Sequence, residues 1–250
     1  MKKNILLLIA ISIFGCSTES STENQNNTVG AKLIKEVKTD LGTNSVQTIN
    51  YVYSGDVLTE SNEIEANGDI IRTVYNYTDG RVVGLNYYKN GTADGYKTFA
   101  YDSQNKLIMS SISNESSLNY YYAYGYNSID QLIVIQNLVS GTVNSHRGFQ
   151  YYNTATNGTN TLTETYYNSS NSVVQKLDYE SDLKNIPYLN MFPTAFNKIT
   201  FPLSVQNIAK KTMLNGDVFT YEYTYNGNKP SEVIEKLNGV SKNKTNYTYQ

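Results

Sequence analysis

Asp178, Glu180 and Asp182 stand at alternate positions, the spacing in this chain best suited to binding a cation. Residues i, i+2 and i+4 of a strand share a face, and a calcium ion needs several oxygen ligands converging from one side. The segment has neither the glycine nor the later glutamate of a calcium loop, so a solvated strand end is the simpler reading and no metal is expected. Glu63 and Glu65 repeat the theme, roughly 7 Å apart on one strand face, near the separation of some glycosidase carboxylates. Alternating carboxylates are also common on exposed strands, and a polysaccharide-acting enzyme would rest on these dispersed acids alone. His146 is the only imidazole and Cys16 the only thiol, which excludes a Cys/His zinc site, a disulfide framework and a redox pair. No Gly-x-Ser-x-Gly, P-loop or dinucleotide fingerprint is present, so neither a cofactor nor catalysis is expected.

The one cysteine has a different chemistry. Met1 to Asn4 form a short positive segment, and Ile5 to Phe14 form an apolar run too short to span a bilayer. They read as a signal peptide over residues 1–15. Ile13-Phe14-Gly15-Cys16 resembles the bacterial lipobox, which places lipidation on Cys16 at the start of the mature chain. Ser17 to Gly30 contain one apolar residue, Val29, and cannot order themselves. As a flexible tether over residues 16–30 they reach roughly 20 Å. Loss of Lys2 and Lys3 leaves 18 Lys and Arg against 22 Asp and Glu, an acidic balance that argues against a nucleic-acid partner. The expected address is the bacterial cell envelope, as an outer-membrane lipoprotein on the periplasmic or surface side, held to the membrane through its N-terminal lipid only.

The remaining residues, 31–250, are organised by a repeat. An aromatic, any residue and a tyrosine recur at Tyr51-Val52-Tyr53, Tyr75-Asn76-Tyr77, Phe99-Ala100-Tyr101, Tyr124-Gly125-Tyr126, Phe149-Gln150-Tyr151, Tyr223-Thr224-Tyr225 and Tyr247-Thr248-Tyr249, with Leu177-Asp178-Tyr179 as a weaker copy. Successive copies start 24, 24, 25, 25, 28, 46 and 24 residues apart. Each interval carries a turn signal near its middle, such as Asn67-Gly68, Asn90-Gly91 or Asn238-Gly239, and a second turn after the tyrosine leads to an apolar pair such as Val82-Val83 or Leu107-Ile108. One repeat is therefore a β-hairpin, and eight hairpins imply about 16 strands. The 28-residue gap is explained by a longer turn at residues 153–161. The 46-residue gap holds Pro187, Pro193 and Pro202 and marks an insertion, about residues 180–203, in which residues 185–192 are expected as a short apolar turn or helical segment packing on the sheet.

The fold class is thus all-β: an antiparallel meander forming a twisted, curled sheet or a barrel, with closure undecided. The 24 tyrosines and absent tryptophan follow from the repeat, because each aromatic pair puts two rings on one face.

Tyr77 to Val83 (YTDGRVV) and Tyr101 to Ile108 (YDSQNKLI) are similar to the YD repeats of Rhs-type proteins, which are linked hairpins. With the lipobox, the segment Tyr179 to Tyr188 and the closing Tyr223 to Pro230, residues 31–250 resemble small Bacteroidetes-type lipoproteins of unassigned function. Ile186 departs from that pattern by separating Asn185 from Pro187, and the resemblance implies no catalytic positions. The functional expectation is a non-catalytic binding or structural module that contacts glycan or a protein partner through Tyr51, Tyr53, Tyr75, Tyr77, Tyr101, Tyr124 and Tyr126. The alternative is an apolar-ligand carrier with the Pro-rich insertion as lid.

Overall fold

The structure, a computed structural model, describes residues 31–113, 120–153, 160–188, 191–193, 195–196, 199 and 206–250. The expected signal peptide, Cys16, the tether and most of the long turn at 153–161 lie outside the described residues.

Eight hairpins follow one another. They are β1 (Leu33–Asp40) with β2 (Val46–Ser54), β3 (Val57–Ile64) with β4 (Ile70–Thr78), and β5 (Arg81–Lys89) with β6 (Thr92–Tyr101). Next come β7 (Leu107–Ser113) with β8 (Tyr120–Tyr126), and β9 (Leu132–Val139) with β10 (Thr142–Asn153). The last six strands are β11 (Asn160–Tyr167), β12 (Val173–Asn185), β13 (Gln206–Met213), β14 (Val218–Asn226), β15 (Lys229–Leu237) and β16 (Val240–Tyr249). Every neighbouring pair is antiparallel, and β16 pairs with β1 from Leu33 opposite Tyr249 to Asp40 opposite Asn243. The meander is therefore a closed barrel of 16 strands with no free edge. Closure resolves what the repeat left open, since a strongly twisted open sheet of this many strands would curl in any case.

Turn chemistry follows the sequence. Asn90 and Gly91 both have positive φ, 50° and 83°, as a two-residue hairpin turn needs. The Asn90 side chain accepts from the Ile70 amide and donates to Asp69, latching adjacent hairpins together. Asn238, Val218 and Asp217 repeat this latch.

At the opposite end the tyrosines act as staples. Tyr53, Tyr77, Tyr101, Tyr126, Tyr151 and Tyr249 donate their hydroxyls to the carbonyls of Leu33, Leu58, Val82, Leu107, Leu132 and Pro230, at 2.7–2.9 Å. Each bond joins the end of a hairpin's second strand to the start of its first, clamping the open end. The six acceptor residues are exposed by 2% or less. The residue after the acceptor is the extra one in a β-bulge: Thr59, Val83, Ile108, Ile133 and Ser231 are skipped in the pairing with the preceding strand. The apolar pair of the repeat is thus one inward side chain and one bulge.

Strand alternation puts the tyrosine pairs and the buried leucines on the inner face. The outer face carries ion pairs, including Arg72 on Glu60 at 2.7 Å, Lys210 on Glu180 at 2.7 Å and Lys244 on Glu232 at 2.6 Å, interspersed with exposed Val52, Met109 and Tyr152. The insertion lies inside the barrel. Met191 packs with Leu33 and Leu58, Phe196 with Val82, Leu85, Phe99 and Leu107, and Ile199 reaches the Leu132 and Phe149 cluster. Its start is fixed by Tyr188, which donates to Glu36 at 2.8 Å while Tyr51 donates to the other carboxylate oxygen.

Two measurements check this arrangement. Tyr77→Phe leaves the Leu58 carbonyl without its donor and should cost roughly 1–3 kcal/mol, whereas Leu58→Ala should cost about 2–5 kcal/mol. Urea denaturation followed by tyrosine near-UV ellipticity reads both, and an unchanged midpoint for Tyr77→Phe would remove the staple from the account of stability. Burial raises the Glu36 carboxyl above the usual carboxylate range, against the lowering effect of the Tyr51 and Tyr188 hydroxyls. A raised folded value means that the Glu36 contribution is greatest below its unfolded pKa and is lost as pH rises through the folded one. Glu36→Gln, which stays neutral, should flatten the dependence of the urea midpoint on pH as pH rises above the ordinary glutamate range. An identical slope in both proteins would contradict this role.

Candidate functional site

Beside the insertion the lumen keeps a partly open cavity of about 420 Å³. Tyr75 of β4, Leu85 of β5, Phe99 of β6, Tyr124 of β8 and Ile135 of β9 supply the barrel wall, because each occupies an inward position of the strand alternation. Phe192, Phe196 and Ile199 supply the wall on the insertion side. Ring contacts join the two sides: Tyr75 and Phe192 have centroids 5.3 Å apart, and Phe99 meets Phe196 edge to face at 5.0 Å and 82°. Ser110, exposed by 1%, lies 2.7 Å from the Tyr124 hydroxyl and orients that ring. Ser61 stands 3.4 Å from the Tyr75 hydroxyl.

Two cations reach this aromatic-lined space, Lys97 of β6 and Arg147 of β10. They differ in their compensation. Arg147 pairs with the buried Glu164 of β11 at 3.1 Å, and Glu164 also accepts from the Tyr179 hydroxyl at 3.1 Å. Lys97 is half-buried and has no hydrogen-bond or ion-pair partner among the described residues. Its ammonium faces the rings of Phe99 at 5.2 Å and Tyr122 at 5.7 Å, a weak cation–π compensation. Burial, and then the nearby Arg147 charge, hold Lys97 below the ordinary lysine value.

The seven tyrosines singled out by the repeat all point into the lumen. Tyr53, Tyr77, Tyr101 and Tyr126 are staples, and Tyr51 is engaged by Glu36. Only Tyr75 and Tyr124 among them line the cavity. Asp178, Glu180 and Asp182 do not converge: the register of β12 becomes irregular between Ser181 and Asn185, and the three carboxylates take separate partners. Asp178 takes Lys176 at 3.1 Å, Glu180 takes Lys210 at 2.7 Å, and Asp182 accepts from the Tyr225 hydroxyl. Among the described residues no group of three His, Cys, Asp or Glu side chains is placed to hold a metal. Glu63 and Glu65 share the inner face, as their spacing predicts, but engage different surroundings: Glu63 accepts from Gln47, and Glu65 lines a separate polar cavity with Lys38 and Asn67. His146 faces outward and stacks on Tyr167, with centroids 4.4 Å apart and planes at 10°.

Sequence reasoning missed Lys97 and Arg147, yet a signal exists. Both stand two residues before a Phe-x-Tyr copy, as Lys97-x-Phe99-x-Tyr101 and Arg147-x-Phe149-x-Tyr151. The copies that begin with Tyr have Ile49, Thr73, Tyr122, Tyr221 or Thr245 at that position. A cation in phase with an inward aromatic pair therefore occurs twice, and only where phenylalanine replaces the first tyrosine.

No family model matches the chain, and no curated protein matches it. Among solved structures, a porin-like protein from Bacteroides uniformis is similar with a TM-score of 0.61 at 13% identity, over 86% of this chain and 95% of that one. A second porin-like protein, from Bacteroides vulgatus, aligns over 88% of this chain and 99% of its own, at 10% identity and a TM-score of 0.40. The first likeness shows the fold, a closed antiparallel meander. Among the described residues no helix is long and apolar enough to cross a membrane, which says nothing of strands.

Proposed function

We propose that this chain is a non-catalytic binding module, anchored in the cell envelope, that holds a small molecule with an apolar body inside its barrel. The observation that carries the reading is the cavity of about 420 Å³ whose wall is shared by the barrel and the insertion. That volume falls within the roughly 300–1,000 Å³ of small-molecule sites, and its mix of aromatic walls with a few polar groups is their usual composition.

The address rests on the leader sequence and the lipobox pattern at Cys16, and the porin-like likeness supports an envelope setting. The outer wall argues for a barrel bathed in water. A barrel that spans lipid turns an apolar belt outward and polar groups inward. Here the ion pairs of Arg72, Lys210, Lys236 and Lys244 face out while the buried leucines and the aromatic pairs of the repeat face in. A lipid on Cys16 would hold such a barrel near a membrane without inserting it. Contact with glycan or a partner protein through an exposed tyrosine ladder has less support, because the rings of all seven candidates face the lumen.

A thermal-shift screen of the purified protein against lipids, other apolar small molecules and glycans tests the reading. A ligand present at about a hundred times its Kd should raise the melting temperature by roughly 5–10 °C. Ile112→Trp, which fills the cavity from its wall, should abolish the shift while leaving the far-UV spectrum unchanged. No shift with any apolar class, or a shift that survives Ile112→Trp, would overturn a ligand site in the lumen.

A further inference from the structure

The cavity has a charge that no described residue neutralises. Arg147 is already matched by Glu164, which leaves Lys97 as the single uncompensated cation of the wall among the described residues. A half-buried ammonium surrounded by rings and aliphatic carbons loses hydration, and burial and Arg147 both hold it below the ordinary lysine value. An arrangement that leaves such a group without an anion costs stability. Its retention next to a cavity is explained if the anion arrives with the ligand.

We propose that the cavity takes a carboxylate-headed molecule with an apolar body, its head on Lys97 Nζ and its body against Phe99, Tyr122, Ile135 and the insertion side chains Phe196 and Ile199. This deepens the lumen-binding reading and rests on it. A monoanion is favoured over a phosphate, because one uncompensated positive charge balances one negative charge, and a dianion would leave a net charge buried in an apolar wall. The repeat supports the assignment independently. Lys97 and Arg147 occupy the same position of two copies, and both copies lack the first tyrosine hydroxyl that elsewhere seeks a protein partner: Glu36 for Tyr51, Ser110 for Tyr124. Phenylalanine there keeps the wall apolar and leaves the cation free to meet a ligand. Lys97 also sits two inward positions along β6 from the stapled end at Tyr101, so its backbone is held by the sheet on both sides.

The test compares decanoate with decanol, which has the same chain length and no charge, on the full chain carrying Cys16→Ser so that no attached lipid competes. Carbonyl-labelled decanoate below its micelle concentration is followed by carbon-13 NMR, and both ligands by calorimetry. Decanoate is expected to bind more tightly than decanol. Lys97→Met should weaken decanoate at least about tenfold, leave decanol within about twofold, and erase the bound carboxylate resonance. Lys97→Arg should retain binding, and both variants are checked by far-UV circular dichroism and melting temperature. Equal affinity of decanoate and decanol, or decanoate binding unchanged by Lys97→Met, would overturn the anion assignment while leaving an apolar lumen site in place. Failure of both ligands to bind the unsubstituted lysine protein would overturn the lumen site and this assignment together.

Discussion

The staple between a tyrosine hydroxyl and a carbonyl at the start of the same hairpin is the interaction on which the rest of the barrel depends. A two-stranded hairpin is marginal in water, and its open end is where it frays. Placing a ring across that end buries the first residue of the hairpin, satisfies its carbonyl and closes the pair at both ends. The acceptor residue also faces the tyrosine of the preceding hairpin, as Leu58 faces Tyr53 while accepting from Tyr77. Each staple therefore touches two hairpins, and the row of them runs around one mouth of the barrel. The bulge that follows the acceptor belongs to the same device. It increases local twist, and it shifts the phase of the strand by one residue, so that the next inward position after Leu58, Val82, Leu107 and Leu132 lies three residues on, at Ser61, Leu85, Ser110 and Ile135.

Closure brings a second problem, since a barrel of this size has an interior that the strand side chains do not fill. The insertion meets it from within. Tyr188, Met191, Phe192, Phe196 and Ile199 meet, in chain order, the walls near β1, β3, β4, β6 and β9, so the segment runs across the lumen and does not cap it. The inner face can then be apolar and the outer face charged, with the core shared between the wall and a segment of the same chain. What the insertion leaves over is a cavity beside Phe196, and its chemistry is decided by residues that the staple does not use.

Much of this was legible in the sequence. The 24-residue period, the Asn-Gly turns and the same-face aromatic pairs are local consequences of backbone geometry, and they reappear in the structure as 16 strands with those turns. Closure was not legible, because the contact of β1 with β16 joins residues about as far apart as the chain allows, and Leu33 and Tyr249 carry no mark of being partners. Nor could alternation say which face was inner. Tyr suits a wetted face as well as a buried one, and the decision came from what the insertion covers. The carboxylates at 178, 180 and 182 keep regular alternation only as far as Ser181, because β12 then sets three residues, 182–184, against Asn207 alone, and such irregularities have no fixed sequence sign.

The repeat also shows how a monotonous architecture makes room for a site. In six of the copies the second tyrosine is held by the staple, and replacing it would open a hairpin. In those six copies the first aromatic and the residue two before it carry no such duty, and this is where the copies differ; in the copy at Tyr223 the first tyrosine meets a carbonyl instead, that of Ile208. Tyr51 turns its hydroxyl to Glu36 and helps hold the insertion, Tyr124 turns to Ser110, and Phe99 and Phe149 have no hydroxyl to place and each follow a cation two residues before. Tyr225 departs further, since its hydroxyl meets Asn207 at 2.9 Å in place of a carbonyl, at the strand that follows the insertion. Variation is therefore greatest where the barrel wall meets the insertion. A charge placed there is held by a sheet stapled at one mouth and latched at the other, so its position is set by the architecture, and its identity is free to answer to what enters the lumen.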